Sequence, residues 1–140
     1  MSKYTVLCVD DDLAICELYE AAFPAWGHSA ITAMSPFLAL KAIENKDVHF
    51  DAILLDYEMP EMNGAELAAE IKCRRPNLPI VLVSGNLEAV RHAPKFVDAA
   101  LAKGSELAIL ISQIENLIAS RRNSKAAQPV RWTIADTASA

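Results

Sequence analysis

The stretch VLCVDDD, residues 6–12, sets an unbroken apolar run against three consecutive carboxylates. Four apolar residues in a row, without the alternation of a half-buried strand, suit a strand covered on both faces, as in a parallel sheet. Like charges massed where such a strand ends repel one another, so something in the fold has to offset them.

Working outward, short apolar and β-branched runs alternate with longer stretches of helical period, the order that builds a parallel sheet with helices on both faces. Strands are predicted over 4–9, 29–33, 52–55, 80–84 and 99–102. The first, third and fourth are continuous apolar runs, whereas the second and fifth are weaker and belong nearer an edge. Helices follow from apolar spacing at i, i+3, i+4 and i+7: Ile15, Leu18, Tyr19 and Ala22; then Ala39, Leu40 and Ile43; then Gly64, Leu67, Ala68 and Ile71. The last helix carries Leu107, Leu110, Ile111, Ile114, Leu117 and Ile118 on one face, with Arg121 and Arg122 where positive charge suits the helix dipole. The fourth has room only from Leu87 to about His92 before Pro94 stops it. The expected class is α/β, a doubly wound parallel sheet of five strands with five helices and a shortened fourth helix.

Composition narrows the setting. With 140 residues and 53% hydrophobic content the chain fits one domain with a sizeable core. No apolar run approaches the roughly 20 residues of a membrane span, and the start has no signal-peptide pattern, so a cytoplasmic protein is expected. Three cysteines, Cys8, Cys16 and Cys73, without Cys-x-x-Cys spacing read as small buried hydrophobes. His28, His49 and His92 are scattered, with no partner at metal-ligand spacing, and read as surface or half-buried residues. Of the net charge of −5, the last twenty residues contribute +3 and the first 120 carry −8, so direct DNA binding is not expected. From Asn123 onward the composition turns polar and aperiodic, with Pro129 and an isolated Trp132 in the segment PVRWTI. A domain over 1–122 and a mobile tail over 123–140 are expected, with no output domain after the last helix.

In an open parallel sheet, ligands bind outside the carboxyl ends of the strands. At those ends stand Asp10, Asp11 and Asp12, then Asp56, then Ser84 with Gly85, then Lys103 with Gly104. Singly, each has an ordinary explanation: a helix cap for Asp11 or Asp12, turn residues for Asp56 and Ser84, a solvated charge for Lys103. Together they converge on one edge. Converging carboxylates are relieved by a divalent cation, and Mg2+ suits an all-oxygen site with one or two carboxylates. A cation and a lysine would also let an aspartate attack an anionic phosphoryl group, making Asp56 a nucleophile, Lys103 a charge clamp and Ser84 a hydrogen-bond donor. After Asp56, Met59-Pro60 fixes a turn and Asn63-Gly64 permits positive φ before the third helix.

The motifs VDDD, LLDYEMPEMNG, LVSG and LAKG, in that order over about residues 3–120, resemble the receiver domain of two-component response regulators. The resemblance implies a sheet of order 2-1-3-4-5. It implies Asp56 as phosphoacceptor, Asp11 as direct Mg2+ ligand, Asp10 as the acid that holds the metal through water, and Glu58 lending its backbone carbonyl. Ser84 matches the hydroxyl position and Lys103 the lysine. Implied partners are a sensor histidine kinase or histidine phosphotransfer protein and a downstream protein, with no enzymatic activity beyond the domain's own phosphoryl transfer and dephosphorylation. Asp12 has no role in that scheme and reads as the cap of the first helix.

Three positions depart from the family pattern. Ala100 stands where receivers usually have an aromatic residue that changes rotamer on phosphorylation. Gly104 replaces the proline that normally follows the lysine. The stretch from Ser84 to Lys103 is about a turn short, which alters the face that usually signals. The departures favour an alternative, a degenerate receiver that binds protein without phosphorylation. A second alternative is a haloacid-dehalogenase-type phosphatase with Asp10 as nucleophile and Asp12 as acid/base, which leaves Asp56 without a task.

Overall fold

The computed structural model describes residues 3–131. Five parallel strands, β1 (Thr5–Val9), β2 (Ser29–Ala33), β3 (Ala52–Asp56), β4 (Ile80–Ser84) and β5 (Ala99–Ala102), form one sheet of order β2-β1-β3-β4-β5. The two weaker apolar runs are its edges. Five α-helices alternate with them: α1 (Leu13–Ala22), α2 (Pro36–Glu44), α3 (Gly64–Arg74), α4 (Leu87–Arg91) and α5 (Leu107–Arg131). A 3-10 turn, Phe23–Trp26, follows α1 and was not signalled by periodicity.

The unbroken apolar run of β1 is explained by its two covers. Leu7 and Val9 join Ile53, Leu55, Ile80 and Leu82 in a core closed by α2 and α3. Val6 and Cys8 join Ala52, Leu54, Val81 and Val83 in a core closed by α1 and α5, where Leu110, Ile111, Ile114 and Ile118 supply the helical face. Each strand residue therefore finds apolar neighbours whichever way it points.

Several expectations are corrected. Leu18 is 46% exposed, because the buried stripe of α1 keeps Tyr19 but runs through Cys16 in place of Leu18. Cys8 and Cys16 are buried but Cys73 is exposed. His28 is buried, with Nδ1 accepting from the Tyr4 amide at 3.1 Å and Nε2 2.7 Å from Glu115 Oε2. Since Nδ1 accepts, Nε2 carries the proton and donates to the carboxylate. Helix α5 continues through Arg131, past the expected end at Arg122. The rest of the expected tail, 132–140 with Trp132, lies outside the described residues. No helix among the described residues is long and apolar enough to cross a membrane.

Candidate functional site

The register aligns the carboxyl ends of the strands: Val9 lies opposite Leu55, Asp56 opposite Val83, and Ser84 opposite Ala102. The residue leaving each strand therefore lands at one edge. Asp10 and Asp56 are 2% and 3% exposed there, and Ser84 is fully buried, while Asp11 faces solvent.

Asp10 is fixed by its own turn, its Oδ1 accepting the Asp12 amide at 2.9 Å while its amide donates to Ala33 O at 3.1 Å. Asp12 turns away and caps α1, its Oδ1 accepting the Ala14 amide at 2.9 Å. Asp56 Oδ1 accepts from Lys103 Nζ at 3.1 Å and from the Glu58 amide at 3.4 Å. The same ammonium lies 3.6 Å from Asp10 Oδ2, so one lysine faces two buried carboxylates.

Ser84 Oγ donates to Glu58 Oε2 at 2.7 Å and accepts the Asn86 amide at 2.9 Å. This engagement of the Glu58 side chain was not legible in the sequence, since it joins a turn residue to the end of a different strand. Gly64 serves close approach, not positive φ: a Cβ there would lie 2.7 Å from the carbonyl oxygen of Asp56 and 2.8 Å from Tyr57 Cα. Asn63 starts α3 by a capping box with Glu66. Gly104 does adopt a left-handed φ of 93°, which a proline cannot reach, so the loop after Lys103 follows a path of its own.

Burial pushes the Asp56 carboxyl up to about 6, against the pull of the Lys103 hydrogen bond, and the Asp10 charge adds to the rise. Burial also raises Asp10, opposed by the Asp12 amide and Lys103 and reinforced by Asp11 and Asp12. For Lys103, burial is the largest influence and works to lower the pKa. The Asp56 hydrogen bond and the charges of Asp10, Asp56 and Glu58 outweigh it and raise the group. The pocket thus holds more negative charge than its lysine balances.

Carboxylate oxygens of Asp10, Asp11 and Asp56 all lie within 4.8 Å of one another. Oxygens on a six-coordinate Mg2+ sit roughly 2.9 Å apart when adjacent and roughly 4.2 Å when opposite. Oxygens at this spacing could hold a cation directly or through water, and the excess negative charge makes a hard dication the fitting occupant.

The family description "Response regulator receiver domain" matches residues 6–115. The transcriptional regulatory protein ZraR of Salmonella typhimurium is 35% identical over 82 residues, which are 59% of this chain and 18% of ZraR. The DNA-binding transcriptional regulator NtrC of Azospirillum brasilense is 32% identical over 123 residues, 86% of this chain and 25% of that protein. The chain thus spans a quarter or less of the length of these curated relatives. Among solved structures, a CheY-like receiver domain protein of Methanospirillum hungatei superposes with TM-score 0.79 at 26% identity, covering 88% of this chain and 99% of that one. The response regulator TrrA of Thermotoga maritima, solved in complex with Mg2+ and BeF, gives TM-score 0.74 at 26% identity, covering 81% and 98%.

Proposed function

The chain belongs to the response regulator receiver domain family, and from that premise we propose that it takes a phosphoryl group from a phosphohistidine onto Asp56, with Mg2+ held by Asp10, Asp11, Asp56 and the Glu58 carbonyl. The observation that carries this is the buried Asp56 carboxylate, bonded to Lys103 and converging with two further aspartates.

Asp56 Oδ2 takes neither the Lys103 nor the Glu58 hydrogen bond and is the oxygen placed to attack phosphorus as the imidazole nitrogen departs, while Oδ1 would be free for the metal once Lys103 shifts away. The O–P bond forms as the N–P bond breaks, and the bonding pair stays with the imidazole. Mg2+, when bound, supplies positive charge against the phosphoryl oxygens. Lys103 is placed to shift its contact from Asp56 to a phosphoryl oxygen. The Ser84 hydroxyl can donate to another once it releases Glu58.

The phosphodonor in this reading is a sensor histidine kinase or a histidine phosphotransfer protein of a cytoplasmic phosphorelay. The phosphorylated domain acts through a protein partner, or as a phosphate shuttle or sink, and catalyses only its own phosphoryl transfer and dephosphorylation. Ala100 and the positive φ of Gly104 favour a second reading, a receiver used as a protein-binding module without phosphorylation. Both positions concern how a phosphorylated state is read out, and neither removes a group from the acceptor site. The phosphatase reading loses its acid/base, because Asp12 is spent on capping α1.

Phosphoramidate, whose N–P bond mimics phosphohistidine, tests the proposal. After incubation with Mg2+, the protein should release hydroxylamine-labile phosphate, as an acyl phosphate does, and Asp56→Asn should release none. Equal release from both would move the acceptor elsewhere, and no release from folded, Mg2+-binding wild type would favour the binding module.

A further inference from the structure

At the end of the sheet remote from Asp56, where β3 and β4 begin, a cleft of about 630 Å³ opens between the loop before β3, the loop before β4, and α5. We propose that this cleft binds a nucleotide, a planar ring carrying a polyphosphate.

The charge of the cleft runs against that of the chain. Lys46, Arg74, Arg75, Arg121 and Arg122 line it, with Asp51 as the single lining carboxylate among the described residues, in a protein of net charge −5. Clefts lined by one sign of charge focus their field on ligands of the other. Three of these cations are already engaged: Arg74 with Glu44 at 3.3 Å, Arg121 with Asp98 at 2.6 Å, and Arg122 with Asp51 at 3.2 Å. Lys46 and Arg75 have no carboxylate within 4.0 Å among the described residues. Arg75 is nonetheless held in place, its Nη2 donating to the carbonyl of Ile43 at 2.5 Å. A guanidinium positioned by a backbone carbonyl keeps its full charge and its remaining N–H groups for an anion.

The floor has a different chemistry. Phe50, Leu78, Pro79 and Ile118 also line the cleft and are less exposed than Lys46, Arg74, Arg75 and Arg122, so they form a deeper apolar surface that an inorganic anion would not use and a planar ring would cover. The volume falls among small-molecule sites, roughly 300 to 1,000 Å³, and exceeds what an inorganic ion needs. Ring on the apolar floor and phosphates on Lys46 and Arg75 is the arrangement that uses both chemistries.

The test is amide chemical-shift mapping on the full chain with ATP in EDTA, which keeps divalent cations from bridging phosphates to Asp10, Asp11 and Asp56. Saturable shifts are expected over residues 46–51, 75–79 and 118–122, with at least tenfold weaker binding in the Lys46→Ala/Arg75→Ala double variant. Both side chains are exposed, and Lys46→Glu, which spares the Arg75 contact with Ile43, should weaken binding as well. Tripolyphosphate should bind more weakly than ATP and shift the rim alone, and adenosine should not saturate. The proposal is overturned by the absence of saturable shifts up to about 10 mM ATP, a bound too weak to matter in a cell. Unchanged affinity in both variants, or equal binding of tripolyphosphate and ATP, would overturn it too.

Discussion

Asp56 carries the tension of the site in a form that pH can expose. Its carboxyl, raised by burial to about 6 from an ordinary value of 3.8, is protonated more readily in the folded than in the unfolded chain. Its contribution to stability is therefore full below pH 4 and is lost as pH rises through 6. Asp56→Asn, which cannot ionise, should match wild type in urea unfolding near pH 4 and exceed it by about 1 to 3 kcal/mol at pH 7.5 without Mg2+. A gain of the same size at both pH values would contradict this assignment. Glu58 acts beside it by holding the Ser84 hydroxyl at 2.7 Å. A hydrogen bond to a charged group is worth about 1.5 to 3 kcal/mol, part of which the hydroxyl must give up before it can meet a phosphoryl oxygen. Glu58→Ala should therefore accelerate phosphorylation by a small donor, by up to about tenfold, in a stopped-flow assay. A slower reaction would show that Glu58 helps the transfer. The convergence of Asp10, Asp56, Ser84 and Lys103 on one edge was legible in the sequence because each ends a strand or directly follows one. The Glu58 contact was not, since nothing local directs that side chain to Ser84.

At the scale of elements, the site depends on how tightly α3 starts against the end of β3. The sequence placed Gly64 at that junction for its freedom of φ, but its backbone is ordinary and the need is for space. Gly64→Ala would drive a methyl group into the Asp56 carbonyl and Tyr57 Cα, both backbone atoms that cannot swing aside. A loss of about 1 to 3 kcal/mol in unfolding free energy is expected, together with weaker Mg2+ binding by titration, because the strand end that aims Asp56 must shift. Full stability with normal Mg2+ affinity would show that the junction does not aim Asp56. The five-residue α4 was legible, since Pro94 and the start at Leu87 left it no room. The length of α5 was not, because the polar composition after Arg122 carries no apolar stripe to announce a helix.

For the whole molecule, the fold was readable because each central strand is apolar on both faces. What escaped the sequence were the long-range polar ties. His28 bonds Tyr4, 24 positions away, and Glu115, 87 positions away, and so fastens the residue before β1 to α5 in a way that no local pattern reveals. His28→Ala should cost about 2 to 4 kcal/mol in urea unfolding, from an orphaned amide, a carboxylate without its donor and a cavity beside Tyr4. A loss below about 0.5 kcal/mol would mean that water replaces the imidazole. Phosphorylation of Asp56 is read most directly by intact mass after incubation with acetyl phosphate, with and without Mg2+, for wild type and Asp56→Asn. A single phosphoryl adduct that requires Mg2+ and is missing in the variant is expected. An adduct that persists in Asp56→Asn, or none at all on folded wild type with Mg2+ bound, would contradict it.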